Sequence, residues 1–130
     1  MVYRCASGEP PQGFTVIELL VVMAAIALLL SIAAPRYIAH LDQAREVALK
    51  HDLRALRDAI DKFHADQLRY PEALNELVAR RYLRSLPIDP ITQRGDTWLL
   101  VAAVDGGHGV ADVRSGAKGR AQDGSDYAGW

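Results

Sequence analysis

The sequence has a single cysteine, Cys5, so no internal disulfide can close any part of it. It has no excess of either charge. Lys and Arg number 15 against 16 Asp and Glu, and the net charge of −1 leaves no electrostatic footprint for a nucleic acid. It also lacks a nucleophile elbow, a glycine loop that could cradle phosphate, and any zinc-ligand spacing. The four histidines, His40, His51, His64 and His108, do not stack on adjacent helical turns and read as solvated positions rather than metal ligands. Asp89, between Pro87 and Pro90, reads as a turn residue and not as a catalyst. No enzymatic activity is expected.

Two more absences turn the reading towards what is present. Residues 19–34 carry no charge, and glycine is missing from the whole of 14–34. Half of all residues are hydrophobic, and they are concentrated there rather than spread evenly. The run FTVIELLVVMAAIALLLSIAA, Phe14 to Ala34, is apolar except for Thr15, Glu18 and Ser31. As a helix it spans roughly 30 Å, the thickness of a bilayer core. Alanines at 24, 25, 27, 33 and 34 would admit a second helix closely, although plain helix propensity explains them equally well. Before the run lies MVYRCASGEPPQG, residues 1–13, which has no apolar period and reads as an unstructured leader. A secretory signal cut after Ala34 is the alternative, with Pro35 awkwardly placed beside that cut.

Pro35 removes one ladder bond and either ends or bends the helix. The pattern beyond it favours continuation. Leu49, Leu53, Leu56, Ile60 and Phe63 form a helical stripe, extended backwards by Tyr37, Leu41, Ala44 and Ala48. Asp42, Arg45, Glu46, Lys50, Arg54, Arg57, Asp58 and Lys62 lie opposite. Glu46–Lys50 and Asp58–Lys62 are oriented for helical ion pairs. The spacing thus predicts one helix from about Phe14 to Asp66, roughly 80 Å long. Pro71 opens a short second helix with Leu74, Leu77 and Val78 on one side. A proline-rich loop follows, then a strand at 97–104, a turn at DGGHG and a partner strand at 110–113. The glycine-rich tail from Arg114 reads as an irregular loop pinned by Tyr127 and Trp130. At 130 residues there is room for one modest core.

The stretch GFTVIELLVVMAAIALLLSIAAP resembles the prepilin signature of type IV pilins and of the pseudopilins of type II secretion. YPEALNELVARRYLRSLPIDP and GVADVRSGAKGRAQDGSDYAGW resemble, more loosely, the later segments of the major pseudopilins. The resemblance implies an α+β, pilin-like fold: a long N-terminal helix, apolar in its membrane half and amphipathic in its second half, packed on a small antiparallel sheet with an irregular C-terminal loop. It divides the chain into a cleaved leader (1–13), a transmembrane and assembly half-helix (14–35) and a periplasmic globular domain (36–130). A membrane peptidase would cut after Gly13 and methylate the new amine of Phe14. Glu18, fifth in the mature chain, would serve assembly, and Pro35 would bend the helix.

An uncompensated carboxylate in lipid is costly, so Glu18 needs a partner. The amine of Phe14, from the same chain or an incoming one, supplies it, and a charge pair in low dielectric can set register. A glutamate that reaches up to the headgroups is the plainer alternative. The implied partners are further copies in a homo-oligomeric filament, the prepilin peptidase and methyltransferase, an inner-membrane assembly platform, minor pseudopilins and the membrane, with no nucleic acid. The implied location is the bacterial inner membrane, single-pass, with the C-terminal domain in the periplasm. No cofactor is required, but the family makes calcium a candidate in the tail, through Asp123 and Asp126, with Asp112, Ser115 and Ser125 nearby. By that resemblance Asp126 lies where the second acidic ligand would fall, and Lys118 holds the position of the other; its ammonium could take the cation's place against Asp123 or Asp126. The lack of a C-terminal cysteine pair sets the chain apart from many adhesive pilins. A pilus or DNA-uptake subunit, and a membrane-tethered binding module that never polymerises, are the rival functions.

Overall fold

A computed structural model describes residues 13–104 and 108–130. The leader 1–13 lies outside the described residues except for Gly13, and so does most of the turn expected at DGGHG. The chain falls into two compact units, Met1–Ile38 and Ala39–Trp130. Helix α1, Val16–Gln67, has 52 residues and contributes to both. It runs through Pro35 without ending, as the resumed apolar stripe predicts. It closes at Leu68, which takes a left-handed φ of 55° and donates its N–H to the His64 carbonyl at 2.9 Å. That bond satisfies one of the last orphan carbonyls of the helix.

In the second unit, α1 lays Leu49, Leu53, Leu56, Ala59, Ile60 and Phe63 into the core, each 3 % exposed or less. These are the residues of the predicted stripe, with Ala59 added. Each large side chain buried in this way contributes about 1.5–3 kcal/mol of gross hydrophobic stabilisation. The backward extension does not hold. Tyr37, Leu41, Ala44 and Ala48 are exposed, and Glu46 is the buried residue at that level. At that level the chain meets the helix through polar groups of the C-terminal tail, Gln122 on the Ala39 carbonyl and on Glu46, rather than through an apolar element.

Helix α2, Leu74–Ala79, starts three residues after Pro71. The Pro71 carbonyl accepts the Val110 N–H at 2.8 Å, and the first turn of α2 is closed instead by the Glu76 N–H on the Ala73 carbonyl at 3.0 Å. Leu74 and Leu77 face the core, and Val78 is half-buried. Strand β1 is Leu99–Ala102 and strand β2 is Val110–Arg114. They pair antiparallel, with Leu100 opposite Val113 and a bulge between Val101 and Ala102. β1 is shorter than predicted because Thr97 and Trp98 serve the preceding loop: Thr97 Oγ1 lies 2.7 Å from Thr92 Oγ1, and Trp98 Nε1 donates to the Pro87 carbonyl at 3.0 Å. The fold is α+β, a long helix packed by a small antiparallel sheet, as predicted.

Two polar features fix the loops. Asp89 is fully buried; its Oδ1 accepts from the N–H groups of Ile91 (2.8 Å) and Thr92 (3.2 Å), and its Oδ2 accepts from Ser115 Oγ at 2.7 Å. Ser115 Oγ in turn accepts the Ala117 N–H at 3.1 Å. Asp89 is thus the turn residue predicted, and it also ties the proline loop to the end of β2. Beside it, Gly116 presses so closely on the Thr97 carbonyl that no Cβ fits.

Candidate assembly site

The N-terminus of α1 is set by its own sequence. Gly13, Phe14 and Thr15 precede the helix in non-helical backbone. Thr15 is the N-cap: its Oγ1 accepts the Glu18 N–H at 3.3 Å. Thr15-Val16-Ile17-Glu18 is the Thr-x-x-Glu pattern of a capping box, which puts the carboxylate in the first helical turn, where the macrodipole favours an anion. The Thr-x-x-Glu spacing gives a second reason for an acid at position 18 that the sequence itself carries. Phe14 is 81 % exposed, and no part of the most apolar stretch of α1 is buried. Among the described residues this is the one helix long and apolar enough to cross a membrane. Ser31, the lone hydroxyl of 19–34, donates to the Leu28 carbonyl at 2.7 Å, so it carries no unpaired donor into an apolar setting.

The second unit carries the other residues singled out by sequence, in the tail. Asp123 Oδ1 accepts from Ser125 N–H (2.9 Å) and from Ser125 Oγ. These bonds, with the Lys50 charge beyond them, hold its carboxyl below the usual range. Its Oδ2 lies 3.8 Å from Lys50 Nζ. Asp126 Oδ1 accepts from Arg120 Nε at 3.3 Å. Asp112, offered as a third ligand, bonds Arg57 Nε at 2.8 Å instead, while Arg57 Nη2 reaches the Val113 carbonyl at 2.9 Å. Ser115 belongs to Asp89. Calcium takes six to eight converging oxygens, whereas each of these carboxylates faces a cation or donor of the chain itself. Among the described residues no three carboxylates, histidines or cysteines gather as a metal group. The cations that meet Asp123 and Asp126 are Lys50 and Arg120. Lys118 is exposed and forms no ion pair among the described residues.

Three residues escaped the sequence reading. Glu46, assigned to the solvated face, is only 9 % exposed; its Oε1 accepts from Tyr127 OH and from Gln122 N–H, both at 2.9 Å. Lys50 leaves the expected Glu46 pairing to meet the tail, and the Asp58–Lys62 pair does not form either. Gln122 Nε2 donates to the Ala39 carbonyl at 3.0 Å. Helical spacing put Glu46 and Lys50 together; only the path of the tail, which has no periodic signal, moves them apart. The expected pinning by Tyr127 and Trp130 does hold: their rings meet edge-on at 5.2 Å, Tyr127 is buried and Trp130 half-buried.

An exposed apolar half-helix opened by a capped acid, an amphipathic continuation and a two-stranded sheet under an irregular tail define a pilin-like protein. A model of the prokaryotic N-terminal methylation motif matches residues 11–34. The type II secretion system core protein G of Klebsiella pneumoniae is 31 % identical over 136 residues, covering 92 % of this chain and 94 % of the relative. Its counterpart in Escherichia coli K12 is 29 % identical over 139 residues, covering 94 % and 92 %. The type IV major pilin PilA of Myxococcus xanthus is 36 % identical over 66 residues, 51 % of this chain and 30 % of that pilin. No solved structure matches the chain significantly. The chain belongs to the core protein G family of type II secretion, the pseudopilins.

Proposed function

We propose that this chain is a structural, non-catalytic subunit of a periplasmic filament of type II protein secretion. It is cut after Gly13, N-methylated on Phe14 and held in the inner membrane by residues 14–35 until it joins the filament. The observation that carries this reading is the wholly exposed apolar half of α1 with its single acid, Glu18, in the first turn, in a chain of this family. Cleavage converts Phe14 into the nearest cation in kind for Glu18, and an amine–carboxylate pair in low dielectric fixes the register of an added copy. Identical copies added head to tail form an open helical polymer. Pro35 bends α1 between its two roles, since its ring removes a ladder bond there. The peptidase and methyltransferase, the assembly platform and minor pseudopilins are the partners of this reading, and the C-terminal domain lies in the periplasm.

Intact mass of the membrane-extracted chain tests processing: the expected mass begins at N-methylated Phe14. Retention of residues 1–13 would point instead to a tethered module. Glu18→Ala tests assembly, with cross-linked ladders expected to vanish while the monomer stays in the membrane fraction. Undiminished ladders would remove Glu18 from the mechanism. The PilA match supports a pilus subunit as the second reading; surface-exposed fibres in place of a secretion defect on deletion would favour it.

A further inference from the structure

The carboxylates of the tail meet cations of the chain itself, and one of these cations comes from α1. Lys50 projects from α1 with its ammonium 3.8 Å from Asp123 Oδ2 and 4.0 Å from the centroid of the Trp130 ring. Asp123 Oδ1 is at the same time fixed by Ser125, whose Oγ also accepts the Trp130 Nε1–H at 2.8 Å. Asp123, Ser125, Trp130 and the ammonium therefore form one closed constellation. Charge pairing with the carboxylate and attraction to the ring quadrupole act on the same nitrogen. One turn earlier on the helix, Glu46 holds Tyr127 OH and the Gln122 N–H, so the tail is bonded to α1 at two successive levels. A lysine has no lone pair to give a metal and three protons to donate. A calcium ion drawn to Asp123 would meet that positive charge at the same carboxylate, and the ammonium repels it.

We propose that the Lys50 ammonium is the built-in cation of the C-terminal loop, held between Asp123 and the face of Trp130, and that this chain closes its loop without calcium. A charge carried on the helix replaces one taken from solution, so closure is independent of the free calcium concentration. The proposal stands apart from the filament reading, because it concerns the folding of one subunit.

The test uses the full chain in detergent micelles. Thermal unfolding, followed by tryptophan fluorescence, is compared in millimolar calcium chloride and in excess EGTA, with proteolysis after Lys118 and Arg120 as a second readout. The wild-type midpoint is expected to agree between the two conditions to about 1 °C, because a ligand that does not bind the native state does not shift it. Lys50→Met, which keeps the length and removes the charge, is expected to lower the midpoint by about 3–6 °C and to speed cleavage of the tail several-fold. Lys50→Arg is expected to restore both. A wild-type midpoint that rises by several degrees in calcium would overturn the proposal. So would a Lys50→Met tail as resistant as the wild type. Should Lys50→Met not fold, the calcium comparison on the wild type and the Lys50→Arg rescue still decide the matter.

Discussion

Two glutamates separate what a single side chain can reveal from what it cannot. Glu18 declares itself: it is the one charge at the head of an apolar run, and Thr15 three residues before it completes a helix-start pattern. Glu46 gives no such sign, because its burial comes from Tyr127 and Gln122, far along the chain. Its effect is measurable through its partner. Burial and the adjacent Glu46 carboxylate push the Tyr127 hydroxyl up to about 12. A phenol whose ionisation is raised in the folded state stabilises fully below the ordinary tyrosine value of about 10 and loses that contribution as pH rises through about 12. Unfolding midpoints are therefore expected to fall between about pH 10 and 12 in the wild type. Tyr127→Phe should flatten that fall, in titrations followed by circular dichroism, while lowering stability near neutrality by about 1 kcal/mol for the lost hydrogen bond.

Among the elements, the helices were the most legible. The stripe Leu49 to Phe63 has a period that only one geometry satisfies, and the structure buries all five of its large residues. The strands were placed correctly but drawn too long at β1, since Thr97 and Trp98 look like strand residues and work as loop anchors. Helix α1 ends at Gln67, one residue past the predicted Asp66, and the conformation that stops it has no sequence signal. Leu68 occupies the left-handed conformation that glycine fills more cheaply, and its side chain is 86 % exposed and packs on nothing of consequence. Leu68→Gly is accordingly expected to stabilise the chain by roughly 0.5–1 kcal/mol. Chemical denaturation should show the higher midpoint at an unchanged slope. A lower midpoint would mean that Leu68 makes packing contacts that offset its backbone strain.

At the scale of the whole chain, the contacts gather into two compact units, Met1–Ile38 and Ala39–Trp130. Among the described residues the hydrophobic core draws on nothing before Leu49, and the furthest upstream hydrogen bond of the tail is to the Ala39 carbonyl. Residues 36–130 are therefore expected to unfold cooperatively by themselves, with a midpoint within about 5 °C of that of the full chain in detergent. Differential scanning calorimetry of the two species makes the comparison. A broad, non-cooperative transition in the shorter chain would show that the apolar half takes part in the fold. The sequence shows the fall in hydropathy after Ala34 directly. It could not announce the tail's course, because a glycine-rich segment with no period is located only by the bonds it makes.

Those bonds have a mechanical meaning. The tail meets α1 at Ala39, Glu46 and Lys50, three points in succession along one helix. A pull applied lengthwise to α1, as when a helix is drawn out of a bilayer, loads all three contacts in shear at the same moment rather than opening them one after another. Resistance to such a pull is then set by the three contacts acting together rather than by the weakest of them.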